Sequence, residues 1–129
     1  MTEGAPSPSP RQKAELCAAL LAERKAEDLV VLHVGPLVGY SEYFILASGR
    51  SSRHVQAIAG FIKEEMAKRG LRALGVEGAT GGTWVLLDYN EVIVHVFHDP
   101  VRRFYDLEGL WADAPRVELL GAQQPAAKP

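Results

Sequence analysis

Cysteine is all but missing. Cys17 stands alone in a chain of 129 residues, so no internal disulfide can form and a Cys-rich zinc site is excluded. It lies among Ala and Leu in a helical pattern, the setting of a small buried hydrophobe, and this usage fits a reducing compartment. Long hydrophobic runs are missing too: none approaches the ~20 apolar residues that a membrane span needs. The opening MTEGAPSPSPR carries neither an apolar signal core nor an Arg-rich amphipathic transit pattern. The expectation is a soluble cytoplasmic protein that makes no membrane contact. Charge of one sign is also lacking. A formal net charge of −2 exerts no global pull toward nucleic acid, so any RNA contact would need a local basic patch.

Signatures of catalysis are equally scarce. The chain has no HExxH, no G-x-S-x-G and no P-loop or dinucleotide glycine spacing. His95, His98 and Asp99 are close in sequence, but positions 95 and 98 of a strand point to opposite faces, the wrong spacing for joint ligation. His33 and His54 are remote from them. No metal site and no cofactor are expected, and nothing in the residues themselves points to an enzyme.

What is present is an ordinary globular composition, 47% apolar and 23% charged, enough for one domain with a real core. Residues 1–9 and 119–129 are small, polar and Pro-rich, and are expected to be disordered tails around a folded domain at 10–118. Pro10 suits a helix's first position, with Ser9 as its cap. Leu16, Ala19, Leu20 and Glu23 follow on helical spacing for about four turns. DLVVLHV (28–34) reads as a strand buried on both faces, and EYFILAS (42–48) as a second strand. Val55, Ile58, Ala59, Ile62 and Met66 mark one face of a helix that Ser51 or Ser52 caps and Gly70 closes. LRALGV (71–76) is a weaker strand and GATGG (78–82) a flexible loop. Residues 84–89 and 92–98 supply two more strands. Asp99-Pro100 opens a last helix that runs through VRRFYDLEGLW to Ala112–Pro115. The order is α-β-β-α-β-β-β-α: an α/β fold with one mixed five-stranded sheet flanked by helices, a right-handed parallel crossover around 42–76 and a terminal hairpin.

A two-residue turn at Asn90-Glu91 sets the hairpin's register. Val85, Leu87 and Tyr89 then oppose Val96, Val94 and Val92 on an apolar core face. The other face pairs Trp84 with Phe97, Leu86 with His95, and Asp88 with Ile93. Glu is a poor second residue for such a turn. From spacing alone, the Trp84 face is either a second core layer under a helix or an exposed patch for a protein partner, where Trp is favoured. Arg50, Ser51 and Arg53 open the central helix, either as a capped start with solvated arginines or as an anion or RNA-phosphate contact. On the last helix, Phe104, Leu107 and Leu110 would dock on the sheet while Arg102 and Arg103 stay wet; alternatively one arginine and Tyr105 extend the partner surface.

The segments YFILASGRSSRHVQAIA, GVEG, WVLLDYNEVIVHVF and RRFYDLEGLW resemble, in order and spacing, the ribosomal silencing factor or Iojap-like family. The resemblance spans about residues 14–115. It implies a nucleotidyltransferase-like α/β fold without the metal-binding carboxylate pair, and no catalysis. It also implies binding to the large ribosomal subunit, chiefly through its fourteenth large-subunit protein, so that the small subunit cannot join and translation falls when nutrients are scarce. Organellar relatives in the family assist large-subunit assembly. Carried onto this chain, the resemblance and the register together give a partner contact of Trp84, Leu86, Asp88, His95 and Phe97, with Arg102 and Tyr105 at its rim. The competing reading is a nucleotide- or phosphate-processing enzyme at Gly49–Arg53. An exposed Trp84 face would also serve an isologous homodimer off the ribosome. Three positions depart from the family pattern: His33 and Glu42 replace Asp, and Asn90 stands where Gly is frequent.

Overall fold

The structure, a computed structural model, describes residues 8–118. Of the two expected tails, 1–7 and 119–129 lie outside the described residues. Ser9 belongs to the fold: its hydroxyl accepts from the Gln12 N–H at 3.1 Å, and the Gln12 side chain accepts from the Ser9 N–H at 2.9 Å. That reciprocal box, with Pro10 in the first turn, starts α1 (Pro10–Glu23). The remaining elements are β1 (Glu27–His33), β2 (Tyr43–Gly49), α2 (Ser52–Lys68), β3 (Gly75–Glu77), β4 (Trp84–Asp88), β5 (Val92–His98), α3 (Asp99–Tyr105) and α4 (Leu107–Leu110).

One mixed sheet has the order β1-β2-β5-β4-β3. β2 and β5 are its parallel central pair, and every other neighbouring pair is antiparallel. Central strands buried on both faces read as continuous apolar runs, as YFILASG and VIVHVFH do. α1 and α2 cover one face. Their Cys17, Leu21, Val55, Ile58, Ile62 and Met66 pack on Ile45, Val85, Leu87, Val94 and Val96 as the main core.

Several expectations need correction. β1 is an outer strand with its first half open, and a bulge between Glu27 and Val30 places Asp28 at φ 50°. Its outer edge is paired further along: the His33 N–H donates to the Pro115 carbonyl, and the Val117 N–H to that of Val31, both at 2.9 Å. β3 starts at Gly75, because Leu71 and Ala73 turn onto the core before the strand begins. It runs parallel to β2, but β5 and β4 lie between them, so the α2 crossover passes over two strands. The 78–82 loop is tied down: the Gln56 side-chain amide donates to the carbonyls of Ala79 and Thr80 at 3.1 and 2.7 Å. Gly78 (φ 80°) and Gly82 (φ 69°) make this close approach feasible, since a Cβ on Gly82 would lie 2.7 Å from the Ser52 carbonyl oxygen.

The expected single last helix is two. Asp106 adopts a left-handed conformation (φ 48°) and its carboxylate accepts from the Gly109 N–H, capping α4.

Candidate protein-docking surface

The β4–β5 register is as the spacing requires: Trp84 opposes Phe97, Leu86 opposes His95, and Asp88 opposes Ile93. The turn also explains its glutamate. Asn90 takes the positive φ (73°), and Glu91 is not among the positive-φ residues. The Glu91 carbonyl accepts from the N–H groups of Glu42 and Tyr43 and from the Ser41 hydroxyl, at 2.8, 2.9 and 3.0 Å. Its carboxylate meets Lys13 Nζ at 2.6 Å, which holds it below the ordinary carboxylate pKa. The turn is thereby fastened to α1 and β2.

The second face of the sheet is core in one part and open in another. Leu32, Val34, Phe44, Leu46, Ile93, Phe97 and Ala114 form a smaller buried cluster, covered by α3, α4 and the segment after them. Trp111 closes edge-on over Phe44, with centroids 5.5 Å apart. The cover stops short of β4, where Trp84, Leu86 and Asp88 remain half-buried. Trp84 is braced on three sides: ring centroids lie 4.9 Å away at Phe97, 5.1 Å at Tyr105 and 6.0 Å at His95.

The expected site residues therefore separate. Trp84, Leu86, Asp88 and Tyr105 share an accessible surface. Phe97 is fully buried and His95 is 5% exposed, so both support the surface from below. Burial lowers the His95 pKa from 6.5 to about 4 and keeps the ring neutral. Arg102 is neither wet nor at a rim. It is buried, donating from Nη1 to the Ser48 hydroxyl at 2.8 Å and from Nε and Nη2 to both Glu108 carboxylate oxygens at 3.0 and 3.1 Å. Phe104 and Leu110, expected to dock on the sheet, are 79% and 71% exposed. Arg102 points inward from α3 in their place.

Two residues were missed by sequence reasoning. Phe104 stacks edge-on against Tyr105 at 5.0 Å, and exposed Tyr40 meets Phe44 at 6.3 Å. Ring contacts run in a continuous line across this face from Tyr40 through Phe44, His95, Trp84 and Tyr105 to Phe104. Only the Asp106 turn could have signalled Phe104; Tyr40, in a Gly-rich loop, offers no signal.

Arg50, Ser51 and Arg53 lie at the start of α2, which covers the opposite face. The Ser51 hydroxyl accepts from the His54 N–H at 3.0 Å as the helix cap, and exposed Arg50 pairs with Glu27 at 3.3 Å. A cleft of about 540 Å³ beside β1 and α3 is lined by Asp28, Asp99, Arg102, Arg103, Glu108 and Arg116 among others. Each of its arginines already has a carboxylate partner. Among the described residues, no group of three His, Cys, Asp or Glu side chains is placed to hold a metal ion, and no helix is long and apolar enough to cross a membrane.

The profile of the family described as "Ribosomal silencing factor during starvation" matches residues 7–129. Ribosomal silencing factor RsfS of Bacillus subtilis is 38% identical over 105 residues, covering 81% of this chain and 89% of that one. The mouse protein named "Mitochondrial assembly of ribosomal large subunit protein 1" is 28% identical over 100 residues, covering 75% of this chain and 44% of that longer one. A crystal structure of a Chromobacterium violaceum protein superposes with a TM-score of 0.79 at 31% identity, covering 92% of each chain.

Proposed function

The chain belongs to the ribosomal silencing factor family, and from that premise we propose that it docks on the large ribosomal subunit and blocks subunit joining. The contact is the fourteenth large-subunit protein, met by Trp84, Leu86, Asp88 and Tyr105. A protein seated there stands where the small subunit must arrive, so translation falls when nutrients are limiting. The mechanism is occlusion. It uses no cofactor and no catalytic group, and it operates in the cytoplasm.

One observation carries this reading: the cover of the second sheet face thins out at β4, where a braced tryptophan stays half-buried at its margin. A large aromatic ring held rigid at the centre of an accessible patch loses little conformational freedom on binding, which is why such rings dominate interface energetics. Half-buried Leu86 and exposed Tyr105 enlarge the apolar contact, and Asp88 supplies a charge at its margin.

A second reading, help in large-subunit assembly, is favoured by the name of the mouse relative. It uses the same surface at an earlier time. Mature large subunits preincubated with the protein, then mixed with small subunits and followed by light scattering, separate the two. Occlusion slows or abolishes the rise in scattering. An assembly role alone leaves it unchanged, and mature subunits that bind no protein refute the docking reading.

A further inference from the structure

We propose that His95 is a positioning residue for Trp84: it fixes the indole by accepting its N–H, so that the partner meets the ring as an apolar wedge. The proposal rests on the docking reading above. The geometry begins with the hairpin register, in which His95 lies diagonally across from Trp84 on the same face. Trp84 Nε1 is 3.1 Å from His95 Nδ1. An indole nitrogen can only donate, so Nδ1 must be the acceptor and the neutral imidazole carries its proton on Nε2. That assigns the tautomer.

Among the described residues the Nε2–H then has no partner. It is buried among rings that include Phe44 (centroids 5.1 Å apart) and Phe97 (6.1 Å). A buried donor without an acceptor destabilises a fold, and an aliphatic side chain could line the same space without that cost. Packing therefore gives no reason for a histidine at position 95. The bond from Trp84 gives one. The indole is pinned by His95, Phe97 and Tyr105, its single polar atom is used internally, and the accessible part of the ring is left entirely apolar.

The test compares amides that place an acceptor differently. The carbonyl oxygen of His95→Asn falls near the position of Nδ1, whereas the amide of His95→Gln reaches toward that of Nε2. His95→Leu removes the acceptor altogether. Two readouts are taken on each full-length variant: hydrogen exchange at the Trp84 indole N–H by NMR, assigned with Trp84→Phe, and affinity for purified large ribosomal subunits. In the wild type and H95N the indole proton should be protected, with affinities within about threefold of each other; in H95L and H95Q exchange should accelerate and affinity fall at least about tenfold. Added to Trp84→Ala, H95L should cost nothing further, because its effect runs through the indole. Unchanged exchange in both H95L and H95Q would overturn the proposal, as would additive losses in the double variant. Wild-type affinity in Trp84→Ala would instead refute the docking reading, and the exchange measurement would still decide the role of His95.

Discussion

Arg102 and Glu108 close a two-pronged ion pair across the break between α3 and α4, at 3.0 and 3.1 Å. The left-handed Asp106 between them makes the fork feasible, and the third guanidinium nitrogen reaches through to Ser48 on the central strand β2. The pair thus ties the cover of the second sheet face to the sheet itself. Arg102→Met keeps most of the stem's packing but takes the guanidinium from Ser48 and leaves Glu108 with the longer Arg116 contact at 3.7 Å. With Glu108 still partly solvated, the expected loss is about 2–3 kcal/mol in urea unfolding. Arg103→Ala is the control. That side chain is 79% exposed in an i,i+4 pair with Asp99, and its removal should cost no more than about 0.5 kcal/mol.

The buried His95 gives stability a defined pH dependence. Its pKa is about 4 in the folded chain against 6.5 in the reference state. Above pH 6.5 the ring is neutral folded or unfolded, and contributes no slope. Between pH 6.5 and 4 the unfolded chain takes up a proton that the folded chain does not, so stability falls with acidification, by a total of about 3 kcal/mol. Urea midpoints measured between pH 7.5 and 4 should show this loss in the wild type, and a correspondingly smaller one in His95→Leu.

Tyr89 ends the core face of the hairpin with a buried hydroxyl that has no hydrogen-bond partner among the described residues. Burial raises its pKa. Tyr89→Phe removes the unpaired group and keeps the ring, so the variant should match the wild type or exceed it by up to about 1 kcal/mol. Thermal unfolding at pH 7 measures this, and a large loss would mean that the hydroxyl is paired.

Cys17 is sealed under α1, with no exposed surface. Burial pushes its thiol up to about 12, so little thiolate exists at neutral pH. Alkylation should be negligible in the native protein and rapid in denaturant, as read by mass spectrometry.

How much of this was legible in the sequence depended on whether a residue's role was local. Ser9, Ser51 and the face of α2 could be read because capping and helical period act within a few positions. The hairpin register could be read because alternation constrains it, although Glu91 made sense only once its carbonyl was seen holding Ser41, Glu42 and Tyr43. The last helix misled, because a helical period carried across Asp106 puts Phe104 and Leu110 inward and Arg102 outward. A single residue with φ 48° ends α3 and starts α4, so one period does not run through both. The order of strands was invisible as well: only the tertiary structure places β5 between β2 and β4. For the candidate surface, pattern identified Trp84 and its face-mates, while burial divided them into Trp84, Leu86 and Asp88 at the surface and His95 and Phe97 beneath.

The docking of Trp84 on the large subunit is tested most directly by co-sedimentation. Full-length wild-type protein and Trp84→Ala, each shown to be folded by thermal unfolding, are mixed with purified large subunits and separated on sucrose gradients. The expected result is wild-type protein in the large-subunit peak and the variant near the top of the gradient, a loss of about 2–4 kcal/mol in binding. A folded Trp84→Ala that travels with large subunits as fully as the wild type would contradict it.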